Sequence, residues 1–307
     1  MAVTFSQSAA GTTILKAVSR SFYLSLRLLP SSMRDAAGLA YLLARSSDTI
    51  ADAPYWDVKA RLQCLDDFRQ AIRKSIVFST PIDLLRQCND SEKTLMIHAQ
   101  EHVEWLDKLT DAERLLIHEV LDEIISGQRL DLIRFADASD GCRMVLANDA
   151  ELIDYCQRVA GSVGEFWTKL GFLGEGCSFT AEDRDTMVRW GRNFGCALQL
   201  VNILRDRPED MRHGRYYLPG AVDFATEYEC WHAQDRWLIL AKSWIEDGMR
   251  YARALQGRRL RCATALPALL ALETIEAMQQ ATWGEMQRRV KISRATVFRC
   301  LAEAALW

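Results

Sequence analysis

Proline is scarce in this chain, six residues in 307, so frequent tight turns joining short strands are not what it encodes. No Cys-x-x-C pair occurs among the nine cysteines, which stand singly at positions 64, 88, 142, 156, 177, 196, 230, 262 and 300. That spacing suits neither a disulfide framework nor a zinc ribbon, the odd number leaves one thiol unpaired, and a reducing cytoplasm is the expected setting. No charge of one sign dominates. With 38 Lys and Arg against 41 Asp and Glu the net charge is −3, which lacks the broad positive field that draws in phosphate backbones, so nucleic acid is not an expected partner. The longest apolar run, Cys262 to Leu272, is interrupted by Thr264 and Pro267 and falls short of the roughly 20 residues that span a bilayer. No secretory signal is read at the N-terminus, and no low-complexity linker or internal repeat divides the chain.

What is present is a large apolar fraction, 49%, enough for a substantial core. Apolar residues recur at three- and four-residue intervals, as in Leu115, Leu116, Val120, Ile124 and Ile125, which is helical periodicity. Helices are predicted over 34–52, 57–78, 91–106, 111–128, 149–171, 180–206, 233–256, 263–283 and 293–305, with breaks at Pro30, Pro54, Pro81, Gly141, the Gly171–Ser178 stretch and Pro219. An all-α chain of one domain, residues 1–307, is the expected architecture.

Two carboxylate pairs stand out. Asp48 and Asp52 are four residues apart, and so are Asp206 and Asp210; on a helix each pair projects from one face. Like charges at that spacing repel, whereas a divalent ion bridging them turns repulsion into binding, since Mg²⁺ commonly takes one or two carboxylates plus substrate phosphate oxygens. A third pair, Asp107 and Asp111, reads as a solvated face beside a turn. The first two differ from it in lying within apolar stretches with arginine beside them: Leu42-Leu43-Ala44-Arg45 precedes one, Leu200-Val201-Asn202-Ile203-Leu204-Arg205 the other, and Arg212, His213 and Arg215 follow the second. Metal ligands and phosphate ligands together are what diphosphate chemistry requires.

Taken in order, Ser19-Arg20-Ser21-Phe22-Tyr23, Arg45-Ser46-Ser47-Asp48-Thr49-Ile50-Ala51-Asp52, Tyr155-Cys156-Gln157-Arg158-Val159-Ala160-Gly161-Ser162-Val163-Gly164 and Asn202-Ile203-Leu204-Arg205-Asp206-Arg207-Pro208-Glu209-Asp210 resemble squalene and phytoene synthases from about residue 15 to 220, and more faintly to 295. The resemblance implies an all-α isoprenoid-synthase fold with the two aspartate motifs facing a central cavity. It also implies Mg²⁺ held by Asp48, Asp52, Asp206 and Asp210, and diphosphate contacts from Arg20, Arg45, Arg205 and Arg215. Tyr155 is similar to the tyrosine that assists proton removal in cyclopropane formation. Ser19 belongs to the substrate-binding motif, Phe22, Tyr41, Val159, Ala160 and Gly161 would shape the prenyl cavity, and Gln199 and Asn202 match polar positions on the second aspartate helix. Val290-Lys291-Ile292 resembles a segment linked to NADPH in squalene synthases, with Lys291 and Arg294 as its cations and Ser293 where a basic residue is expected.

Two departures bear on the site. Ala51 replaces a third acidic residue common in squalene synthases, and Pro208 is expected to kink or end its helix. The Ser-Arg-Ser-Phe and Asp-Thr-Ile-Ala-Asp segments look closer to squalene than to phytoene synthases. The implied reaction is therefore head-to-head joining of two farnesyl diphosphates through presqualene diphosphate to squalene, with NADPH reducing the second step. The alternative is dehydrosqualene or phytoene formation without reduction, the latter from geranylgeranyl diphosphate. A cytoplasmic protein, monomer or dimer, with peripheral membrane contact for release of an oily product completes the expectation. Two rivals come from other classes. His98-Ala99-Gln100-Glu101-His102 matches the H-x-x-E-H zinc-peptidase pattern, and a non-catalytic helical partner protein could share the fold.

Overall fold

The computed structural model describes residues 9–19, 22–74, 76–220 and 227–307. The chain divides into two compact units, Met1–Leu132 with Phe166–Phe179, and Ile133–Glu165 with Thr180–Trp307. The first carries helices α1 (Ala9–Ser19), α2 (Phe22–Leu28), α3 (Ser31–Ala51), α4 (Val58–Lys74), α5 (Ile82–Leu85), α6 (Asp90–Ile97), α7 (Ala99–Trp105) and most of α8 (Asp111–Arg134). In α3 the rows Leu39, Leu42, Leu43, Ser46, Ser47 and Ile50 are buried, and with Leu65 and Phe68 of α4 they form the core of this unit.

The second unit contains α9 (Asp149–Cys156), a π-helical stretch Gln157–Gly161, the start of α10 (Ser162–Glu175), and α11 (Arg184–Arg212). After these come α12 (Glu227–Ala254), α13 (Arg258–Gln280), α14 (Trp283–Met286) and α15 (Arg294–Ala305). Its core gathers Leu152, Phe194, Ala197, Leu200, Leu204, Trp237, Leu238, Ile245 and Ile275. Helix starts follow side-chain acceptors: Asn148 for α9, Asp183 for α11 and Ser293 for α15 each accept from a backbone N–H in the first turn, at about 1 kcal/mol per cap.

The chain is helical as expected, with three differences. The expected helix 91–106 is broken at His98, which ends α6 and begins α7. Helices also form at residues 9–19 and 22–28, ahead of the first one predicted. The expected end or kink at Pro208 is not an end: α11 runs through it to Arg212, because loss of one N–H partner for Leu204 is outweighed by the buried row that continues to Arg207. Two residues, Met144–Val145 (β1), pair in parallel with Arg215–Tyr216 (β2). Gly214 makes that pairing possible: its φ of +75° is a left-handed conformation, and a Cβ there would lie 2.2 Å from the carbonyl oxygen of Ser139. All eight cysteines with described side chains are free thiols.

Candidate active site

Helix α3 turns its polar stripe away from the buried rows. Tyr41, Arg45, Asp48 and Asp52 are spaced four, three and four apart, so they share one face. Asp52 is the C-cap of α3, tied to Asp48 by a 2.8 Å bond from its backbone N–H to the Asp48 carbonyl, which keeps the two carboxylates one turn apart. Arg45 bonds Glu92 at 2.8 Å and stands 3.8 Å from Asp48. From α8, Gln128 donates its Nε2 to Asp48 Oδ1 at 2.6 Å. Desolvation by burial and the charge of Asp52 push the Asp48 carboxyl up to about 7, with Arg45 and Gln128 opposing. Yet the side chain keeps 45% of its surface accessible, so solvent reaches the carboxyl and moderates that shift. A carboxylate short of positive charge, with a second carboxylate one turn away, is an all-oxygen donor set suited to a hard divalent cation.

The second stripe lies on α11. Gln199 is half-buried, Asn202 exposed, and Asp206 and Asp210 are half-buried on the same face. Here the carboxylates are already compensated. Arg205 grips Asp206 through two nitrogens at 2.9 and 2.7 Å, Arg289 bonds the same carboxylate at 2.6 Å, and Arg215 from β2 stands 3.4 Å from Asp210. A cation entering this stripe must share these oxygens with guanidinium groups, which frees the arginines for a phosphate group.

Tyr155, near the end of α9, is half-buried and stacks on Tyr217 with ring centroids 5.5 Å apart, while Tyr217 also meets Phe135 at 4.9 Å. Directly after it the helix widens into the π segment containing Val159, Ala160 and Gly161, a distortion frequent at functional sites. Val159 and Ala160 are half-buried and Gly161 is buried, where a Cβ would come 2.8 Å from Cys196 Sγ of α11. Gly161 thus also serves close helix packing. Ser19 is buried, its hydroxyl bonded to the Leu15 carbonyl, and Tyr41 donates to the Val18 carbonyl at 3.2 Å. Arg20 lies outside the described residues, as does the side chain of Phe22. Lys291 and Arg294 are exposed. Lys291 lines a cleft of about 480 Å³ with Arg288, Arg289 and Glu285, whereas Arg294 opens α15 beyond it.

Sequence reasoning missed Gln128, Glu92 and Arg289, which reach their aspartate or arginine from other elements with no local motif to mark them. The third aspartate pair does not share a helix: Asp107 sits in a 3₁₀ turn and Asp111 begins α8, both bound to Arg114. The zinc-like segment runs from the His98 N-cap into α7, and His102 is fully buried with its pKa lowered to about 4 by desolvation and by His98. No cluster of three or more metal-ligating side chains forms among the described residues, and no described helix is long and apolar enough to cross a membrane.

The profile of the family described as squalene/phytoene synthase matches residues 15–296. A phytoene synthase of Mycobacterium tuberculosis is 32% identical over 209 residues, which are 67% of this chain and 55% of that protein, so the match spans about half of the relative's length. A squalene synthase of Yarrowia lipolytica is 25% identical over 304 residues, 95% of this chain and 66% of that protein. Among solved structures, TcSQS with the ligand BPH1237 superposes with a TM-score of 0.78 at 21% identity, covering 95% of this chain and 84% of that one. A dehydrosqualene synthase bound to a ligand superposes at 0.61 and 21% identity, over 95% and 93% of the two chains. These superpositions establish the isoprenoid-synthase helical fold.

Proposed function

The chain belongs to the squalene/phytoene synthase family, a family of prenyltransferase type, and from that premise we propose that it joins two prenyl diphosphates head to head, farnesyl diphosphate being the preferred substrate and squalene the product. The observation that carries the reading is the pair of stripes, each with two carboxylates one helical turn apart and arginines within ion-pair distance. Asp48 with Asp52, and Asp206 with Asp210, would hold Mg²⁺. Once bound, the metal neutralises charge that develops on a departing diphosphate. The rest is work for the chain's own groups. Arg45, Arg205 and Arg215, now paired with carboxylates, exchange those partners for diphosphate oxygens, and Arg289 is placed to do the same. Tyr155, held by its stack on Tyr217, is the group proposed to take the proton lost as the cyclopropane of presqualene diphosphate closes. Lys291 with Arg288 offers a phosphate-bearing cofactor two cations in one cleft, and NADPH bound there would supply the hydride for the second step.

The squalene reading is supported by the reach of the Yarrowia relative, 95% of the chain, and the phytoene reading by higher identity over a shorter span. The discriminating experiment incubates purified protein with Mg²⁺ and farnesyl or geranylgeranyl diphosphate, with and without NADPH, followed by mass analysis of extracted lipid. Squalene from farnesyl diphosphate and NADPH is the expected product. A forty-carbon product from geranylgeranyl diphosphate alone replaces it with phytoene synthesis, and no product from either substrate sinks the central reading.

A further inference from the structure

The buried face of α8 is apolar at Leu121, Ile124, Ile125 and Leu132, and the one long polar side chain set into that row is Gln128, only 8% exposed. A methionine or leucine would continue the row at lower cost, since a buried amide must satisfy both its ends. One end is satisfied: Nε2 donates to Asp48 Oδ1 at 2.6 Å. The other is not, because Oε1 is buried and has no hydrogen-bond partner among the described residues. Its orientation follows from its neighbour when Asp48 is ionised, the state that holds a cation: a carboxylate only accepts, so the nitrogen faces Asp48 and the oxygen points elsewhere. Nitrogen and oxygen of a carboxamide lie about 2.3 Å apart, which puts Oε1 within about 5 Å of Asp48 Oδ1. A single water hydrogen-bonded to Oε1 can therefore also lie beside Asp48.

We infer that Gln128 is the positioning residue of the first aspartate pair, fixing Asp48 through Nε2 and accepting, through Oε1, a hydrogen bond from a water on the cation held by Asp48 and Asp52. This rests on the proposed metal-dependent function and deepens it by naming the outer group that sets cation affinity at one stripe. Outer partners of metal ligands typically change affinity by 10- to 100-fold, and a buried acceptor left without a donor is costly, so a donor water beside it stabilises the site.

The test uses Mn²⁺ as the cation, counted by electron paramagnetic resonance on the full chain with inorganic pyrophosphate present. Q128M, which keeps length and volume but removes both polar ends, is expected to weaken Mn²⁺ binding by about tenfold or more and to raise the Mg²⁺ concentration needed for half-maximal turnover more than it lowers kcat. Q128E is expected to lower the melting temperature of the metal-free protein, because it sets a second anion against Asp48, and to show a larger rise on adding Mn²⁺ than wild type. Unchanged Mn²⁺ affinity in Q128M overturns the inference. If Q128M does not fold, a Q128E protein whose Mn²⁺-induced rise is no larger than that of wild type overturns it instead. Wild-type protein that binds no Mn²⁺ with pyrophosphate overturns the metal-dependent function itself, a separate result from wild type that binds while the variants bind equally well.

Discussion

Desolvation and the neighbouring charge of Asp52 hold Asp48 at about 7, against 3.8 for an unperturbed aspartate, and the sign of that shift has a consequence for stability. A carboxyl whose folded pKa is raised binds its proton more tightly in the folded state. Ionising it therefore destabilises the metal-free protein progressively as pH rises from about 4, with the full penalty present above about 7. D48N removes the penalty, so it should raise the melting temperature of metal-free protein at pH 8 and leave it nearly unchanged at pH 4, while abolishing turnover. A D48N protein that melts lower at pH 8 would mean that Asp48 is a stabilising ion-pair partner of Arg45 and not a site kept at a cost for function. The same logic separates the three aspartate pairs. D48A and D206A should abolish lipid formation in the mass assay, and D107A should leave it close to wild type, because Asp107 sits in the 3₁₀ turn before α8, where it pairs with Arg114, and belongs to neither aspartate stripe. Equal loss in all three would remove the basis for choosing between them. Spacing alone could not make that choice, since all three pairs share it; the apolar setting and the adjoining arginines did.

Helices were legible from their period, but their interruptions were not. The break at His98 has no proline or glycine beside it, and Gly161 within the π stretch Gln157–Gly161 marks close packing without announcing a change of helical pitch. The π segment lies where the chain approaches α11 closely: a Cβ on Gly195 of α11 would lie 2.1 Å from the carbonyl oxygen of Ala160, and one on Gly164, just after the segment, 1.8 Å from that of Gly191, so the helices meet backbone to backbone there. G164A should therefore force them apart and destabilise the protein by about 1–3 kcal/mol, measurable by denaturant unfolding. It should also reduce turnover, since α10 continues the helical run that carries Tyr155 on α9, and α11 carries the second aspartate pair. Turnover unchanged in a destabilised G164A would detach this contact from the site. At the break, His102 is fully buried and titrates near 4 instead of 6.5. A lowered histidine pKa means that the unfolded chain binds the extra proton, so stability is intact above about 6.5 and is lost as pH falls toward 4, by roughly 3 kcal/mol at most. H102M should flatten that part of the stability profile; an unaltered acid slope would assign it to other groups.

At the scale of the whole chain, fold class could be read before any coordinates from the helical period, and the four aspartates proposed as ligands were chosen from motif and flanking charges. The partners of those aspartates could not be read that way. Gln128 lies 80 residues from Asp48 and Arg289 lies 83 from Asp206, and nothing in one sequence ties such positions together. The same separation holds for the proposed NADPH segment, whose expected cations Lys291 and Arg294 stand far along the sequence from the first aspartate motif. If reduction by NADPH depends on that segment, K291Q should raise the KM for NADPH and divert product toward presqualene diphosphate, while the rate of the first condensation stays near wild type. R294Q should do so less, because Arg294 lies outside the cleft that Lys291 lines. The readout is the ratio of presqualene diphosphate to squalene at fixed farnesyl diphosphate as NADPH is varied. A ratio that ignores both substitutions would leave the Val290-Lys291-Ile292 segment as a basic surface turn, and a wild-type ratio that ignores NADPH altogether would favour the non-reductive product.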